Sequence, residues 1–117
     1  MVEVKIDDLV VRVYTFEGYV VVPIRLTEVY KSLKWKMQER YDGYHGMVRR
    51  LYNKNDVHCW EDFMKLKKSI EVEGFDNDFP VLVCKRNGVL EVVDGQHRCS
   101  ILLFLGIETV ECLEVKE

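Results

Sequence analysis

Apolar and β-branched residues along the chain fall into short runs separated by turn residues, a pattern typical of β-strands. Two pairs of runs are separated by Glu17-Gly18 and by Asn87-Gly88, and Asn-Gly between apolar runs is the strongest short-range sign of a β-hairpin. We therefore predict two hairpins and a closing strand. The predicted strands cover residues 9–16, 19–22, 80–85, 89–93 and 109–115.

Helical signals lie between these strands. Thr27 is a suitable N-cap for a short helix over residues 28–33. The segment that follows Arg98 is apolar nearly all round, which indicates a buried helix. A helical stripe of apolar residues, ended by Gly74, is made by Trp60, Phe63, Met64 and Ile70. Strands and helices in this order predict an α+β fold with a small mixed β-sheet core and packed helices.

Residues 34–59 give mixed signals. Asp42-Gly43 and Asn53-Lys54-Asn55 have the composition of turns, so a helix is predicted only near residues 47–52. Basic and aromatic residues also alternate over residues 30–54, as they do on surfaces that bind single-stranded nucleic acid and on ordinary solvated helix faces. The residues concerned are Lys31, Lys34, Lys36, Arg40, Arg49, Arg50 and Lys54, with Tyr30, Trp35, Tyr41, Tyr44 and Tyr52.

Composition narrows the class of protein. A chain of 117 residues with 48% hydrophobic and 32% charged residues is typical of one globular domain, residues 1–117. No apolar run is long enough for a membrane span and no signal peptide is visible, so we expect a cytoplasmic protein without a membrane partner. The net charge of −3 argues against electrostatic binding of nucleic acid over the whole protein surface. The four cysteines are too far apart for a zinc knuckle, and we expect reduced thiols.

The segment that says most about function is Asp94-Gly95-Gln96-His97-Arg98, which joins an apolar strand to an apolar helix. Free N–H groups and the dipole at a helix N-terminus attract anions. Gly95 permits a close backbone approach or a positive φ. Arg98 offers a charged donor fork for phosphate oxygens, and His97 either contacts phosphate or orients the turn. The alternative is an ordinary turn with Arg98 on a solvated helix face.

Asp94 is the carboxylate nearest to this turn in the sequence. It either coordinates a Mg²⁺ ion that bridges phosphates or removes a proton from an acceptor hydroxyl. An Asx-type turn, in which the side chain bonds its own backbone, is the structural alternative. Neither His45 nor His58 has a partner at metal-ligand spacing, so a zinc site is not expected.

Gly95-x-His97-Arg98, an apolar helix and Leu105-Gly106 before the last strand resemble the ParB/sulfiredoxin superfamily. This superfamily includes ParB N-terminal domains, sulfiredoxins, free-serine kinases and proteins named for a DGQHR motif. The likeness follows residues 60–115 in order and spacing, and residues 1–59 only loosely. It implies a single ParB/sulfiredoxin-like domain with an insertion around residues 34–59. It also implies that the phosphates of a nucleotide bind at Gly95, Gln96, His97 and Arg98.

The chain departs from two of these relatives at Gln96. Sulfiredoxins resemble the turn but have their catalytic cysteine at this position, and Cys99, one helical turn further on, does not restore that geometry. Repair of sulfinic acid is therefore not expected, and Cys99 is interpreted as a small buried residue. The free-serine kinases have a histidine at the position of Gln96 and use a glutamate from the N-terminal half as base. Glu39 is the candidate here and Glu28 an alternative, and surface salt bridges remain the structural interpretation of both.

The resemblance implies that the chain binds a nucleoside di- or triphosphate with Mg²⁺ and hydrolyses it or transfers a phosphoryl group. Asp94 and Glu39 are then the candidate catalytic residues, and Asp94 the candidate metal ligand. The alternative is a non-enzymatic, ParB-like regulator, in which nucleotide switches an interface with DNA, a DNA-binding partner or a second copy. Nuclease activity is a third interpretation.

Overall fold

The structure is a computed structural model that describes residues 1–52 and 59–116. Its strands are β1 (Val2–Lys5), β2 (Leu9–Thr15), β3 (Gly18–Pro23), β4 (Val81–Arg86), β5 (Val89–Asp94) and β6 (Thr109–Glu114). Its helices are α1 (Glu28–Lys34), α2 (Gln38–Tyr52), α3 (Trp60–Glu73) and α4 (Gln96–Phe104). All six strands form one sheet, in the order β1-β6-β4-β5-β2-β3. The predicted α+β class and mixed sheet are confirmed.

The sheet combines antiparallel and parallel pairs. Strands β1 and β6, β4 and β5, and β2 and β3 are antiparallel, whereas β4 and β6, and β2 and β5, are parallel. The parallel pairing of β2 with β5 is short, because only Leu9 with Leu90 and Val10 with Glu91 are in register. Beyond Val10 the two strands continue without pairing to each other, and this separation leaves a gap that ends at Asp94.

Both predicted hairpins are confirmed. Arg86 pairs with Val89 across a two-residue turn, and the turn residues Asn87 and Gly88 have φ values of 51° and 81°. Positive φ at both central positions is the type I′ geometry that Asn-Gly favours. In the first hairpin β3 begins at Gly18, so the turn lies one residue earlier than Glu17-Gly18.

A β-bulge shapes the end of β5. Val83 pairs with Val92, but the preceding residue of β4, Leu82, pairs with Asp94, so Val93 is an extra residue in β5. Bulges bend a strand and redirect the residues beside them, and they are common next to functional sites. This bulge sets the position of Asp94 at the end of the sheet.

The predicted helix boundaries at Thr27 and Gly74 are also confirmed. The Thr27 hydroxyl accepts a hydrogen bond of 3.1 Å from the backbone N–H of Tyr30, as expected of an N-cap. Gly74 follows α3 with a φ of 80°, a conformation that suits glycine. In α4 the residues from Cys99 to Leu103 are buried, as the apolar sequence predicts.

The prediction of a turn at Asp42-Gly43 is wrong, because both residues lie inside α2. Tyr41, His45 and Val48 are spaced by four and three residues, and all three are buried. Packing of this stripe stabilises a helix whose local sequence does not favour one. The predicted turn at 53–55 lies outside the described residues.

Strand β1 has no counterpart in the sequence prediction. Val2–Lys5 pairs with the antiparallel partner β6 through Thr109–Cys112. This strand has only four residues, and Val2 is more than half exposed. Its alternation of apolar and polar residues is therefore too short to identify a strand from the sequence.

One hydrophobic core joins the sheet to the helices. Its most deeply buried side chains come from the strands, from two short 3₁₀ helices over Ile6–Asp8 and Ile24–Leu26, and from α4. They include Ile6, Leu9, Ile24, Val81, Ile101 and Leu102. The residues of α4 from Cys99 to Leu103 are therefore buried in the core, whereas the first turn of this helix lies at the edge of the sheet. Among the described residues, no helix has the length and hydropathy that a bilayer span requires.

Candidate functional site

The N-terminus of α4 has no capping side chain. Gly95 is the N-cap, and its carbonyl accepts the first helical hydrogen bond, 2.9 Å long, from the N–H of Cys99. The N–H groups of Gln96, His97 and Arg98 therefore precede the helical hydrogen bonds. The first turn contains no acidic residue that would offset the helix dipole. The site keeps the backbone donors and the positive dipole end that bind anions.

Gly95 is required at this turn by both conformation and space. Its φ is 122°, a region in which residues with a side chain are strained. A Cβ atom would lie 3.0 Å and 3.1 Å from the two γ-carbons of Val81 and 3.1 Å from Nη2 of Arg98. The absence of a side chain thus allows β4 and the Arg98 guanidinium to approach the turn closely.

Gly95→Ala is expected to destabilise the fold by about 2 kcal/mol or more, since strained backbone conformations cost about 1–3 kcal/mol and the contacts with Val81 add to this. The free energy of unfolding from urea denaturation measures the effect. Gly43→Ala is the matched control, because Gly43 lies in α2 and a Cβ atom there would meet no heavy atom within 4 Å. That change should stabilise by up to about 1 kcal/mol. Equal effects of the two substitutions would contradict the role of Gly95.

Arg98 does not lie on a solvated helix face. Its side chain is 18% exposed, and Nη1 donates a hydrogen bond to the carbonyl of Phe79, just before β4. Nη2 lies 3.6 Å from Oδ2 of Asp94, and the guanidinium lies 5.6 Å from the ring centre of Phe75. These contacts hold the guanidinium in place beside the first turn of α4.

A buried tyrosine orients His97. Nε2 of His97 lies 3.0 Å from the hydroxyl oxygen of Tyr41, and the ring meets Phe63 edge-on at 4.9 Å. Tyr41 is fully buried and stacks between His45, at 4.0 Å, and Phe63, at 5.0 Å. Burial raises the pKa of Tyr41 above its ordinary value, so the phenol stays neutral at physiological pH. The hydrogen bond fixes the ring of His97, and phosphate contact by His97 stays a prediction.

Two clefts share the residues Asp94, Gly95, Gln96 and His97, and the larger of these two lies on one side of the turn. It has a volume of about 470 Å³ and a wall formed by Asp94, Gly95, Gln96, His97 and Arg98. Its other side chains are mainly apolar and include Phe63, Leu66, Phe79, Pro80, Leu82 and Leu113. Asp62 and Asp78 also line it. With Asp94 these give three carboxylates against one arginine, so the larger cleft is apolar in its lining and acidic in its charge.

The second cleft lies on the other side of the turn, in the gap between β2 and β5. It has a volume of about 390 Å³ and shares Asp94, Gly95, Gln96 and His97 with the larger cleft. Arg12, Tyr14, Arg86 and Glu91 line the remainder, together with Val11, Val92 and Val93. The first turn of α4 is therefore a wall common to two clefts, one mainly apolar with three carboxylates and one with two arginines and two carboxylates. The sequence did not reveal this arrangement.

The two glutamates considered as bases lie elsewhere. Glu39 is an exposed residue in the first turn of α2 and lines neither cleft. Oε2 of Glu28 lies 3.4 Å from Nη1 of Arg40, which confirms the salt-bridge interpretation of Glu28. The structure thus groups Asp94 with Gly95–Arg98 and does not bring Glu39 to them.

The aromatic residues near α2 do not form one exposed stacking surface. Tyr30 and Tyr41 are buried in the core. The hydroxyl of Tyr44 accepts a hydrogen bond from the N–H of Tyr14, and that of Tyr52 donates one of 2.7 Å to the carbonyl of Gly18. The hydrogen bonds of Tyr44 and Tyr52 attach α2 to the sheet. Trp35 differs from these tyrosines, because it is 49% exposed and has the guanidinium of Arg40 4.7 Å from its ring centre. A base-stacking role for the four tyrosines is therefore not supported by the described part of the chain.

Three of the four cysteines are buried. Cys84, Cys99 and Cys112 are buried and Cys59 is exposed, and all four are free thiols. Burial raises the pKa of Cys99 to about 12 and also raises that of Cys112. Because the thiolate is the nucleophile, Cys99 is a small core residue, as predicted.

No protein-family model matches the chain, and no significant match was found among curated proteins. The likeness to the ParB/sulfiredoxin superfamily therefore rests on the residues of the turn and on their order along the chain.

Proposed function

We propose that this protein binds a nucleoside di- or triphosphate, together with Mg²⁺, at the first turn of α4. The observation that carries the proposal is the uncapped helix N-terminus, which forms a wall between two clefts and has Arg98 and His97 beside it. The N–H groups of Gln96, His97 and Arg98 offer hydrogen bonds to phosphate oxygens. The guanidinium of Arg98 adds a charged donor that is already held in place.

The larger cleft suits the nucleoside. Its volume of about 470 Å³ lies within the usual range of ligand pockets, and apolar side chains form most of its lining. Phe79 is 67% exposed and presents a ring at this cleft, on which a base can stack. A nucleoside there would have its phosphates directed at the turn.

The acidic residues near the turn fit Mg²⁺. Proteins usually hold this ion by one or two carboxylates together with substrate phosphates and water, not by a complete protein cage. The carboxylate of Asp94 is 71% exposed and can supply such a ligand. Within residues 1–52 and 59–116, no group of three or more His, Cys, Asp or Glu side chains is close enough to hold a metal without the nucleotide. When bound, Mg²⁺ would neutralise phosphate charge and polarise the phosphoryl group.

Hydrolysis of the nucleotide, or transfer of its phosphoryl group, is the reaction this arrangement supports best. Such reactions depend mainly on positioning and charge stabilisation. Arg98 and the N–H groups of the turn supply both, and Asp94 is the candidate base or metal ligand. Glu39 would have to act from outside both clefts, so Asp94 is the stronger catalytic candidate.

A panel of ATP, GTP, CTP and ADP, each with and without Mg²⁺, tests the proposal by thermal shift and calorimetry. At one hundred times its Kd, a ligand should raise the free energy of unfolding by about 2.7 kcal/mol, a shift of several degrees in Tm. Mg²⁺ is expected to strengthen binding, because it screens the phosphates from Asp62, Asp78 and Asp94. A panel in which no nucleotide raises the Tm would contradict the proposal.

A further inference from the structure

The second cleft is bordered by a charged triad that the proposed phosphate site does not use. Glu91 lies where β2 and β5 cease to pair, and its side chain is only 8% exposed. Its Oε2 atom lies 3.4 Å from Nη2 of Arg12 and also accepts a hydrogen bond from Nη1 of Arg86. One buried carboxylate therefore holds two guanidinium groups at the edge of this cleft.

The guanidinium of Arg12 has fixed neighbours, but one of its nitrogen atoms lacks a hydrogen-bond partner among the described residues. It stacks on the ring of Tyr19, 4.1 Å from the ring centre. Its Nε atom is buried and has no hydrogen-bond partner among the described residues. Buried charged groups are costly unless they are both paired and hydrogen-bonded, so this Nε atom is a donor left unsatisfied by the described part of the protein. The side chains of Arg12 and Arg86 are 33% and 26% exposed, and both residues line the second cleft.

We propose that Arg12 and Arg86 form a second anion subsite, which binds the terminal phosphate of a polyphosphate whose inner phosphate lies on the first turn of α4. This inference rests on the proposed function. It is supported by the continuity of the second cleft from the triad to Gly95 and His97. The ligand class is then a nucleoside di- or triphosphate, with its base in the larger, apolar cleft and its outer phosphate in the gap between β2 and β5.

Calorimetry with a nucleoside mono-, di- and triphosphate series tests the subsite, with inorganic tripolyphosphate as a ligand without a base. The wild type should bind the triphosphate about tenfold or more tightly than the monophosphate, since a hydrogen bond to a charged group contributes about 1.5–3 kcal/mol. Arg12→Gln should lower triphosphate and tripolyphosphate affinity about tenfold and leave monophosphate affinity within about twofold. Arg86→Gln is the second variant, because it also leaves Glu91 one arginine partner.

Arg25→Gln is the matched control. Arg25 is an exposed arginine paired with Asp7 and lines neither cleft, so every affinity should stay at the wild-type value. Equal weakening of mono- and triphosphate in both triad variants, or no weakening, would show that the triad is structural only and overturn the subsite. If the wild type binds neither nucleotide nor tripolyphosphate, the proposed function fails as well. Binding of tripolyphosphate without any nucleotide would support the subsite and reject the nucleoside.

Discussion

Arg98→Ala is expected to lower nucleotide affinity about a hundredfold, because the guanidinium is the charged donor fork at the proposed phosphate position. Calorimetry with the tightest nucleotide and Mg²⁺ measures the change. Arg98→Lys keeps the charge but loses the fork, and should recover only part of the affinity. The same nucleotide should then fail to raise the Tm of Arg98→Ala at concentrations that stabilise the wild type.

The substitution also removes two structural contacts, so its stability must be measured alongside. Without the hydrogen bond to the Phe79 carbonyl and the packing on Phe75, the free energy of unfolding should fall by about 1–2 kcal/mol. A protein of this size tolerates that loss and remains folded at 25 °C. Arg25→Ala, which removes an exposed ion pair, is the control and should leave nucleotide affinity unchanged. Wild-type affinity in folded Arg98→Ala would remove Arg98 from the site.

The parts of the fold that local chemistry decides could be predicted from the sequence. Asn87-Gly88 predicted its turn because few residues adopt two successive positive φ angles. Thr27 predicted the start of α1 because its hydroxyl can bond the third residue of the helix. The same holds for the turn at Gly95, where a glycine between an apolar strand and an apolar helix indicated both its conformation and its place at a helix N-terminus.

The parts that depend on distant contacts could not be predicted. The turn predicted at Asp42-Gly43 does not form, because Tyr41 and His45 pack against α3 and α4, and these partners are distant in the sequence. The alternation of basic and aromatic residues places Tyr41 on a surface, but its spacing from His45 and Val48 is that of a helical stripe and all three residues are buried.

The triad in the second cleft shows the same limit for the site. The meeting of Arg12 with Glu91 depends on a parallel register two residues long, and the position of Asp94 depends on a bulge at Val93. Neither is encoded by a motif. The sequence could therefore identify the turn at Gly95 but not the second cleft beside it.

Asp94→Asn separates the enzyme from the alternative of a nucleotide-switched regulator. Asparagine has the shape of aspartate and retains an Asx-type turn, so a structural role predicts little change in stability, binding or turnover. Oδ2 of Asp94 lies 3.6 Å from Nη2 of Arg98, and the side chain of Asp94 is largely exposed. Ion pairs with an exposed partner contribute little to the stability of a fold. A carboxylate that acts as base or Mg²⁺ ligand matters most as charge shifts in the transition state. We therefore expect nucleotide affinity within about tenfold of wild type, or ~1.4 kcal/mol.

Phosphate release or transfer by the same variant should fall by at least about a hundredfold, the usual contribution of a general base. Paired calorimetry and phosphate-release assays with Mg²⁺ measure both quantities. Asp78→Asn is the matched control, because Asp78 lines the larger cleft but lies outside the turn, and its turnover should stay near wild type. A wild type that binds nucleotide but turns over with no acceptor and no DNA would reject the enzyme and leave the regulator. If affinity and turnover fall by the same factor, Asp94 is instead a binding group, because its carboxylate then stabilises the bound nucleotide and the transition state equally.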